Sequence, residues 1–180
     1  MTDLHFLFVI KYLMNHIQRT LVVLKPDTIW RSIIWEIISR FERAWLHIVA
    51  IKMTKPDKDF LYHHYENIWK MISRHGQKKF EITVDMMAKL PLIAMIIEWI
   101  EVIEFVRKIV WPTEPKSAPA WTIRWDYSHM SYTYSDDKEL WVLNLLHASW
   151  NAEEAELEIA HWFDKKEIFD YEPGHVKFTR

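Results

Sequence analysis

The sequence predicts an α+β fold, in which helices pack on a four-stranded antiparallel sheet. Two observations support this class. Four short apolar runs have the length and composition of buried strands, and the segments between them repeat their apolar residues at helical spacing. The length of 180 residues fits one compact domain. Half of the residues are apolar and 27% are charged, a balance typical of globular proteins.

The four predicted strands are short and rich in branched apolar residues. The first ends at Pro26, because proline cannot donate to a strand ladder. In chain order the strands are LVVLKP (21–26), LHIVAIKM (46–53), LIAMII (92–97) and WVLNLLHA (141–148).

Helices are predicted between and after these strands. Asn151, followed by Glu154 three residues later, has the pattern of a capped helix start. The element order β-α-β-(α)-β-α-β-α is typical of a ferredoxin-like split βαβ sandwich with helices on one face of the sheet. Residues 71–90 are mixed and give no assignment. The predicted helices cover residues 33–43, 58–70, 102–110 and 152–163.

A proline-rich segment separates the third helix from the last strand. Three prolines fall within WPTEPKSAPAW (111–121), so residues 111–126 are predicted to form a long irregular loop. Loops of this length within a compact domain are usually functional. A polar stretch rich in tyrosine and serine, residues 127–139, follows the loop.

Composition argues against several classes of partner. The net charge is −2, and no cluster of lysine and arginine suggests nucleic-acid binding. There is no cysteine, which excludes disulfides and thiolate metal sites and makes the cytoplasm the expected location.

The apolar start, HFLFVIKYLM, is too short to span a bilayer and lacks the features of a signal peptide. No membrane partner is therefore expected. Residues 1–18 are interpreted as an N-terminal extension. It could add a strand or helix at the surface or in an oligomer contact. Alternatively, translation begins at Met14, which is the interpretation we favour.

His147 is the first candidate catalytic residue. A histidine in an apolar strand is usually a core residue, but Glu158 lies in the next helix, close enough for its carboxylate to accept a hydrogen bond from the imidazole. That contact would fix the tautomer and leave the other ring nitrogen as a nucleophile. Alternatively, Glu158 lies on a solvated helix face, as most helical glutamates do.

Three cations could neutralise a phosphorylated substrate. Lys25 ends the first strand, Arg107 lies on a predicted helix, and Arg124 is beside the proline-rich loop. Each could equally be an ordinary surface charge. The chain has no glycine-rich phosphate loop of the Walker type, which excludes a P-loop kinase.

Several motifs together resemble the nucleoside diphosphate kinase family. The resemblance runs from about Arg19 to Tyr171 and predicts a kinase domain at residues 19–172, followed by a C-terminal tail at 173–180. Its motifs are RTLVVLKPD (19–27), HY (64–65), VRKIVWPTEPKSAPAWTIRWDY (106–127), NLLHAS (144–149) and AELEIAHWF (155–163).

The resemblance implies a ping-pong transfer of the terminal phosphoryl group from ATP or another nucleoside triphosphate to a nucleoside diphosphate. His147 would carry the phosphate, and Mg²⁺ would arrive with the nucleotide rather than in a protein site. It also implies a homo-oligomer, most often a hexamer or tetramer. The alternative is a nucleotide-binding or scaffolding homologue without turnover.

The resemblance also implies roles for individual residues. The catalytic residues would be His147, Glu158, Ser149 and Lys25. Among them, Glu158 would orient His147. The nucleotide would contact Lys25, Tyr65, Arg107, Thr113, Arg124 and Asn144, the last through a sugar hydroxyl. The aromatic residue that stacks on the base cannot be assigned within residues 70–90, where Phe80 is one candidate, and residues 129–140 resemble an insertion found in some members.

The tryptophan content is abnormal. The chain has 11 tryptophans and only 2 glycines, where average usage gives roughly a dozen glycines. The family pattern has glycine at seven of the tryptophans, and several of these positions are expected to need a positive φ. Trp125 and Trp150 are expected to crowd the phosphate site most. The seven positions are Trp35, Trp45, Trp99, Trp111, Trp121, Trp125 and Trp150.

One hypothesis explains a repeated substitution of a single type: the source organism reads UGA as glycine, whereas the sequence was translated with UGA as tryptophan. Codons for Trp35, Trp111 and Trp125 that read UGG would disprove it. The alternative is a designed or drifted chain with genuine tryptophans.

Overall fold

The computed structural model describes residues 16–176. Its sheet has the strand order β2-β3-β1-β4, and each neighbouring pair is antiparallel. The expectations for residues 1–15, including a start at Met14, lie outside the described residues. The strands are β1 (Ile17–Leu24), β2 (His47–Thr54), β3 (Leu92–Ile100) and β4 (Leu146–Ala148).

Nine α-helices surround the sheet in this part of the chain. The third continues into π-helical turns at His63–Ile68, and 3₁₀ turns occur at Pro115–Ser117 and Lys165–Glu167. None of the helices between residues 16 and 176 has both the length and the apolar character needed to cross a bilayer. The helices are α1 (Pro26–Trp30), α2 (Ile34–Glu42), α3 (Lys58–Tyr62), α4 (Met71–His75), α5 (Gln77–Met87), α6 (Val102–Val110), α7 (Ile123–Tyr127), α8 (Tyr132–Asp137) and α9 (Ala152–Trp162).

Both faces of the sheet are buried, because alternate residues of the central strand β1 enter different cores. Val22 and Leu24 pack with α2 and α6 on one face, whereas Leu21 and Val23 pack with α3, α5 and α9 on the other. The four-stranded antiparallel α+β fold is confirmed, but the expectation of helices on only one face was wrong. The sequence signal was the uninterrupted apolar run of β3, which indicates a strand covered on both faces.

The last strand is shorter than predicted. Residues 141–145 are not part of the sheet, and β4 pairs with β1 only from Leu146 to Ala148. The strand begins late because Leu145 has a φ of +74°, which interrupts the extended backbone.

The proline-rich loop and the stretches on which the sequence was uninformative contain short helices. Within residues 111–126 lie the 3₁₀ turn Pro115–Ser117 and the start of α7, whose N-cap Thr122 accepts a hydrogen bond from the Trp125 amide. The polar stretch contains α8, with Ser131 as its N-cap. Residues 71–90 form α4 and α5, separated by Gly76 at a φ of +86°.

The segment after α9 returns to the sheet along β2. The Phe169 amide donates a hydrogen bond to the carbonyl of Val49, and the Tyr171 hydroxyl donates one to the carbonyl of Ile48, at 2.9 Å each. The chain up to at least Tyr171 is therefore part of the folded unit.

Only two of the seven tryptophans have a backbone conformation that favours glycine. Trp45 has a φ of +64° and Trp121 a φ of +72°. Trp35 and Trp125 lie in α2 and α7, and Trp99 lies in β3. The expectation of strain at several of these positions therefore holds at two of them.

A glycine at position 121 is expected to raise the free energy of unfolding by about 1 kcal/mol, because it removes the steric cost of a left-handed tryptophan. Trp35→Gly is the matched control. That side chain is also exposed, but it lies in a helix, so the change is expected to lower stability by about 0.5 kcal/mol. Urea unfolding measures both, and a loss of stability in Trp121→Gly would contradict the assignment of strain.

Candidate active site

His147 lies on β4 and faces helix α9. Its Nε2 is 2.8 Å from Oε1 of Glu158, and the other carboxylate oxygen of Glu158 accepts a 2.6 Å hydrogen bond from the Ser149 hydroxyl. Glu158 is fully buried. Because Nε2 is occupied by the carboxylate, Nδ1 is the ring nitrogen that remains for a covalent bond. The contact between histidine and glutamate therefore has the geometry expected from the sequence.

The Glu158 carboxylate stays ionised despite its burial. Burial alone would raise its pKa, but the charge and hydrogen bond of His147 and the hydroxyl of Ser149 lower it to about 2. A carboxylate at this position can therefore hold a proton on Nε2 of His147 and stabilise positive charge on the ring.

A second histidine lies against this pair. The ring of His64 contacts that of His147 edge to face, with 4.9 Å between centroids, and its Nδ1 accepts a hydrogen bond from the Trp162 indole. Burial, reinforced by the charge of His147, lowers the pKa of His64 to about 3. His64 is thus neutral and does not compete with His147 for the charge of Glu158.

A single cleft of about 940 Å³ brings the predicted residues together. Glu158 and Ser149 do not line it, but they support His147 from behind. Its large volume and mixed polar and apolar lining are typical of a small-molecule site. The predicted residues that line the cleft are Lys25, Tyr65, Arg107, Thr113, Arg124, Asn144 and His147.

Lys25 lies at the end of β1 and donates a 2.7 Å hydrogen bond to the side-chain oxygen of Asn144. Its ammonium also lies 4.8 Å from the centroid of the Trp141 ring. Burial, together with the nearby charge of Arg124, lowers the pKa of Lys25 to about 7, although Asp27 opposes this effect. An anion that enters the cleft would favour the charged form.

Arg124 is buried and holds main-chain carbonyls. Its guanidinium donates to the carbonyl oxygens of Pro112, Asn144 and Leu146 at 2.7–3.0 Å. Burial and the charge of Arg107 lower its pKa to about 9. An arginine has five N–H groups, so two remain after these three contacts.

Arg107 lies between two tryptophans. Its guanidinium is 4.0 Å from the ring centroid of Trp150 and 4.7 Å from that of Trp111, distances typical of cation–π contacts. Burial lowers its pKa, and the charge of Glu154 opposes that shift. Trp150 also lines the cleft, as expected, but Trp125 does not; it is half exposed on α7.

The expectation that Phe80 stacks on a base was wrong. Phe80 is buried in the core, where it packs edge to face against Tyr62, and it does not line the cleft. The large aromatic side chains that do line it include Trp69 and Trp141. Phe80 lies on the apolar face of α5, a position that could not be recognised while residues 71–90 had no assigned helix.

Sequence reasoning also missed one wall of the cleft. Helix α5 and the segment around α8 are joined there by ion pairs between Lys78 and Glu139 (2.5 Å) and between Lys79 and Asp136 (2.9 Å). All four residues line the cleft. The insertion at residues 129–140 was recognised, but sequence alone gives no distance between it and α5.

Comparison with known proteins agrees with this geometry. The family model for nucleoside diphosphate kinase matches residues 18–168. Two relatives described as nucleoside diphosphate kinases are those of Borreliella burgdorferi, 38% identical over 86% of this chain and 92% of its own, and of Pyrococcus furiosus, 39% identical over 88% and 90%.

Solved structures agree as well. A transition-state mimic of the kinase from Borrelia burgdorferi, with bound vanadate and ADP, is 36% identical, covers 89% of this chain and 95% of that one, and superposes with a TM-score of 0.86. A halophilic kinase from Halobacterium salinarum in complex with CDP is 28% identical, covers 92% and 99%, and gives a TM-score of 0.78. The chain therefore belongs to the nucleoside diphosphate kinase family, a family of phosphotransferases.

Proposed function

We propose that the protein transfers the terminal phosphoryl group of ATP or another nucleoside triphosphate to a nucleoside diphosphate through phospho-His147. The observation that carries the proposal is the 2.8 Å contact between Nε2 of His147 and a buried, ionised Glu158, in a cleft whose lining includes the cations Lys25, Arg107 and Arg124. Phosphoryl transfer needs positioning and charge neutralisation more than covalent chemistry, and this cleft offers both.

In the first half-reaction, Nδ1 of His147 attacks the terminal phosphorus. The new N–P bond forms as the bond to the bridging oxygen breaks, and the diphosphate leaves. Glu158 keeps the proton on Nε2 and stabilises the positive charge of the ring. In the second half-reaction, a terminal oxygen of another diphosphate attacks the phosphorus and the N–P bond breaks, which restores the free histidine.

We infer the other roles from position and chemistry. Lys25 and the free N–H groups of Arg107 and Arg124 would neutralise the phosphates, and Tyr65 and Thr113 would contact them. Asn144 would bond a sugar hydroxyl, and Ser149 would hold Glu158 in place.

Mg²⁺ fits this scheme as a partner of the nucleotide. None of the side chains proposed to contact the phosphates is a carboxylate. The one group of possible metal ligands among the described residues, His64, His147 and Glu158, is already engaged internally. The ion, when bound, neutralises phosphate oxygens.

A homo-oligomer in the cytoplasm completes the proposal. Ile51 and Met53 of the edge strand β2 are about half exposed, as are several of the tryptophans. Exposed apolar side chains of this kind are consistent with an interface that another copy of the chain covers in a hexamer or tetramer. Sedimentation analysis tests this part independently of activity.

Incubation with labelled ATP and Mg²⁺ is expected to leave acid-labile phosphate on His147. His147→Ala is expected to abolish the label, whereas His63→Ala, a change at an exposed histidine, is expected to retain it. Nucleotide binding without any label on the wild-type chain would favour the scaffolding homologue instead.

Replacing Glu158 by glutamine is expected to slow phosphorylation of His147 on the order of 100-fold, because the ring loses the charge that stabilises its positive form. Glu156→Gln, an exposed glutamate on the same helix, serves as the control and is expected to have no effect. Single-turnover kinetics on folded protein measure both. Equal rates in the two variants would contradict the role of Glu158.

Nucleotide binding at pH 8 is expected to take up a proton. The pKa of Lys25 is about 7 in the free protein, so the side chain is mostly neutral at pH 8, and bound phosphates would recharge it. At pH 6 the side chain is already charged and this uptake is expected to disappear. Calorimetry in buffers of different ionisation enthalpy measures the uptake, and Lys25→Arg, which is always charged, should lack it.

A further inference from the structure

Two residues before His147, the backbone makes a strained turn. Leu145 has a φ of +74°, and the Leu146 amide donates a 2.9 Å hydrogen bond to the carbonyl of Asn144. This combination is typical of the classic γ-turn, which is rare and strained. Among residues 16–176, seven residues other than glycine have a positive φ, and Leu145 is the one that is buried.

The peptide groups of Leu145 are held from β1 and the start of α1. Its carbonyl accepts hydrogen bonds from the Lys25 amide at 2.8 Å and from the Thr28 hydroxyl at 2.7 Å. Its amide donates to a carboxylate oxygen of Asp27 at 2.8 Å. Arg124 holds the carbonyls on either side, those of Asn144 and Leu146.

The position of this turn makes it relevant to catalysis. Asn144, on one side, bonds the Lys25 ammonium, and His147, on the other, carries the nucleophilic nitrogen. If the turn relaxed, the imidazole would move relative to the phosphate-binding side chains. Strained backbone of this kind persists only where its surroundings fix it, and it occurs most often at active sites.

We propose that Asp27 and Thr28 are positioning residues for phosphoryl transfer, which hold Leu145 in its left-handed turn and thereby aim His147 at the nucleotide. Neither contacts His147, so both act through the backbone between Asn144 and Leu146. The inference rests on the proposed function of the cleft.

The first test removes only the hydroxyl of Thr28. Thr28→Val keeps the side-chain shape and is expected to slow single-turnover phosphorylation of His147 by ATP on the order of tenfold, because small misplacements of reacting groups are costly. Thr28→Ser keeps the hydroxyl and should stay within about threefold of wild type. Thr20→Val is the matched control, a buried threonine whose hydroxyl has no partner among the described residues, and it should not alter the rate.

The second test asks whether the effect passes through the strained turn. Glycine adopts a positive φ without strain, so in a Leu145→Gly background Thr28→Val is expected to cost less than about threefold. Circular dichroism confirms that each variant is folded at the assay temperature, and the dissociation constant for ADP is measured alongside the rate.

The outcomes separate the two proposals. If wild type is phosphorylated and Thr28→Val has the same rate, or if its loss is as large in the Leu145→Gly background, the positioning role is wrong. The rate of Thr28→Val alone decides whether Thr28 affects phosphorylation, even if Leu145→Gly does not fold. If wild type acquires no phosphate at all, the proposed function fails instead.

Discussion

The site depends on the hydrogen bond between the Glu158 carboxylate and Nε2 of His147. A fully buried carboxylate is costly unless its charge is compensated, and here His147 and the Ser149 hydroxyl supply the compensation. The same contact fixes the imidazole tautomer. The fold makes it possible because α9 packs across β1, next to β4, so that a helix residue meets a strand residue eleven positions earlier in the chain.

Around this contact, polar groups that are distant in sequence are connected by short hydrogen bonds. The start of α1, the proline-rich loop and the chain before β4 meet at Asn144 and Leu145, where Lys25, Asp27 and Arg124 each hold a side chain or a peptide group. The cations of the site therefore contribute to its architecture as well as to its charge.

Much of this was predictable from the sequence, for physical reasons. Strands β1 to β3 are short runs rich in branched apolar residues, and Asn151 is a local cap, so these elements could be recognised without tertiary information. His147 and Glu158 lie close together in sequence, which made their contact predictable.

Features that depend on tertiary contacts were not predictable. The short β4 reflects the turn at Leu145, which is held by residues more than a hundred positions away. The wall formed by α5 and α8 depends on ion pairs 57 and 61 residues apart in sequence, and Phe80 could be assigned to the core only once α5 was known. The hydrogen bond that His64 accepts likewise comes from Trp162, 98 residues away.

The return of the chain along β2 has a consequence for solubility. An open sheet edge is a template on which a foreign strand can add, and one of the two outer strands here, β4, has only three residues. On the other outer strand, β2, the carbonyls of Val49 and Ile48 accept hydrogen bonds from Phe169 and Tyr171. These two carbonyls lie at the bulge of the strand. Within the described chain, one margin of the sheet is therefore short and part of the other is covered, which limits the row of free peptide groups available for amyloid-like growth.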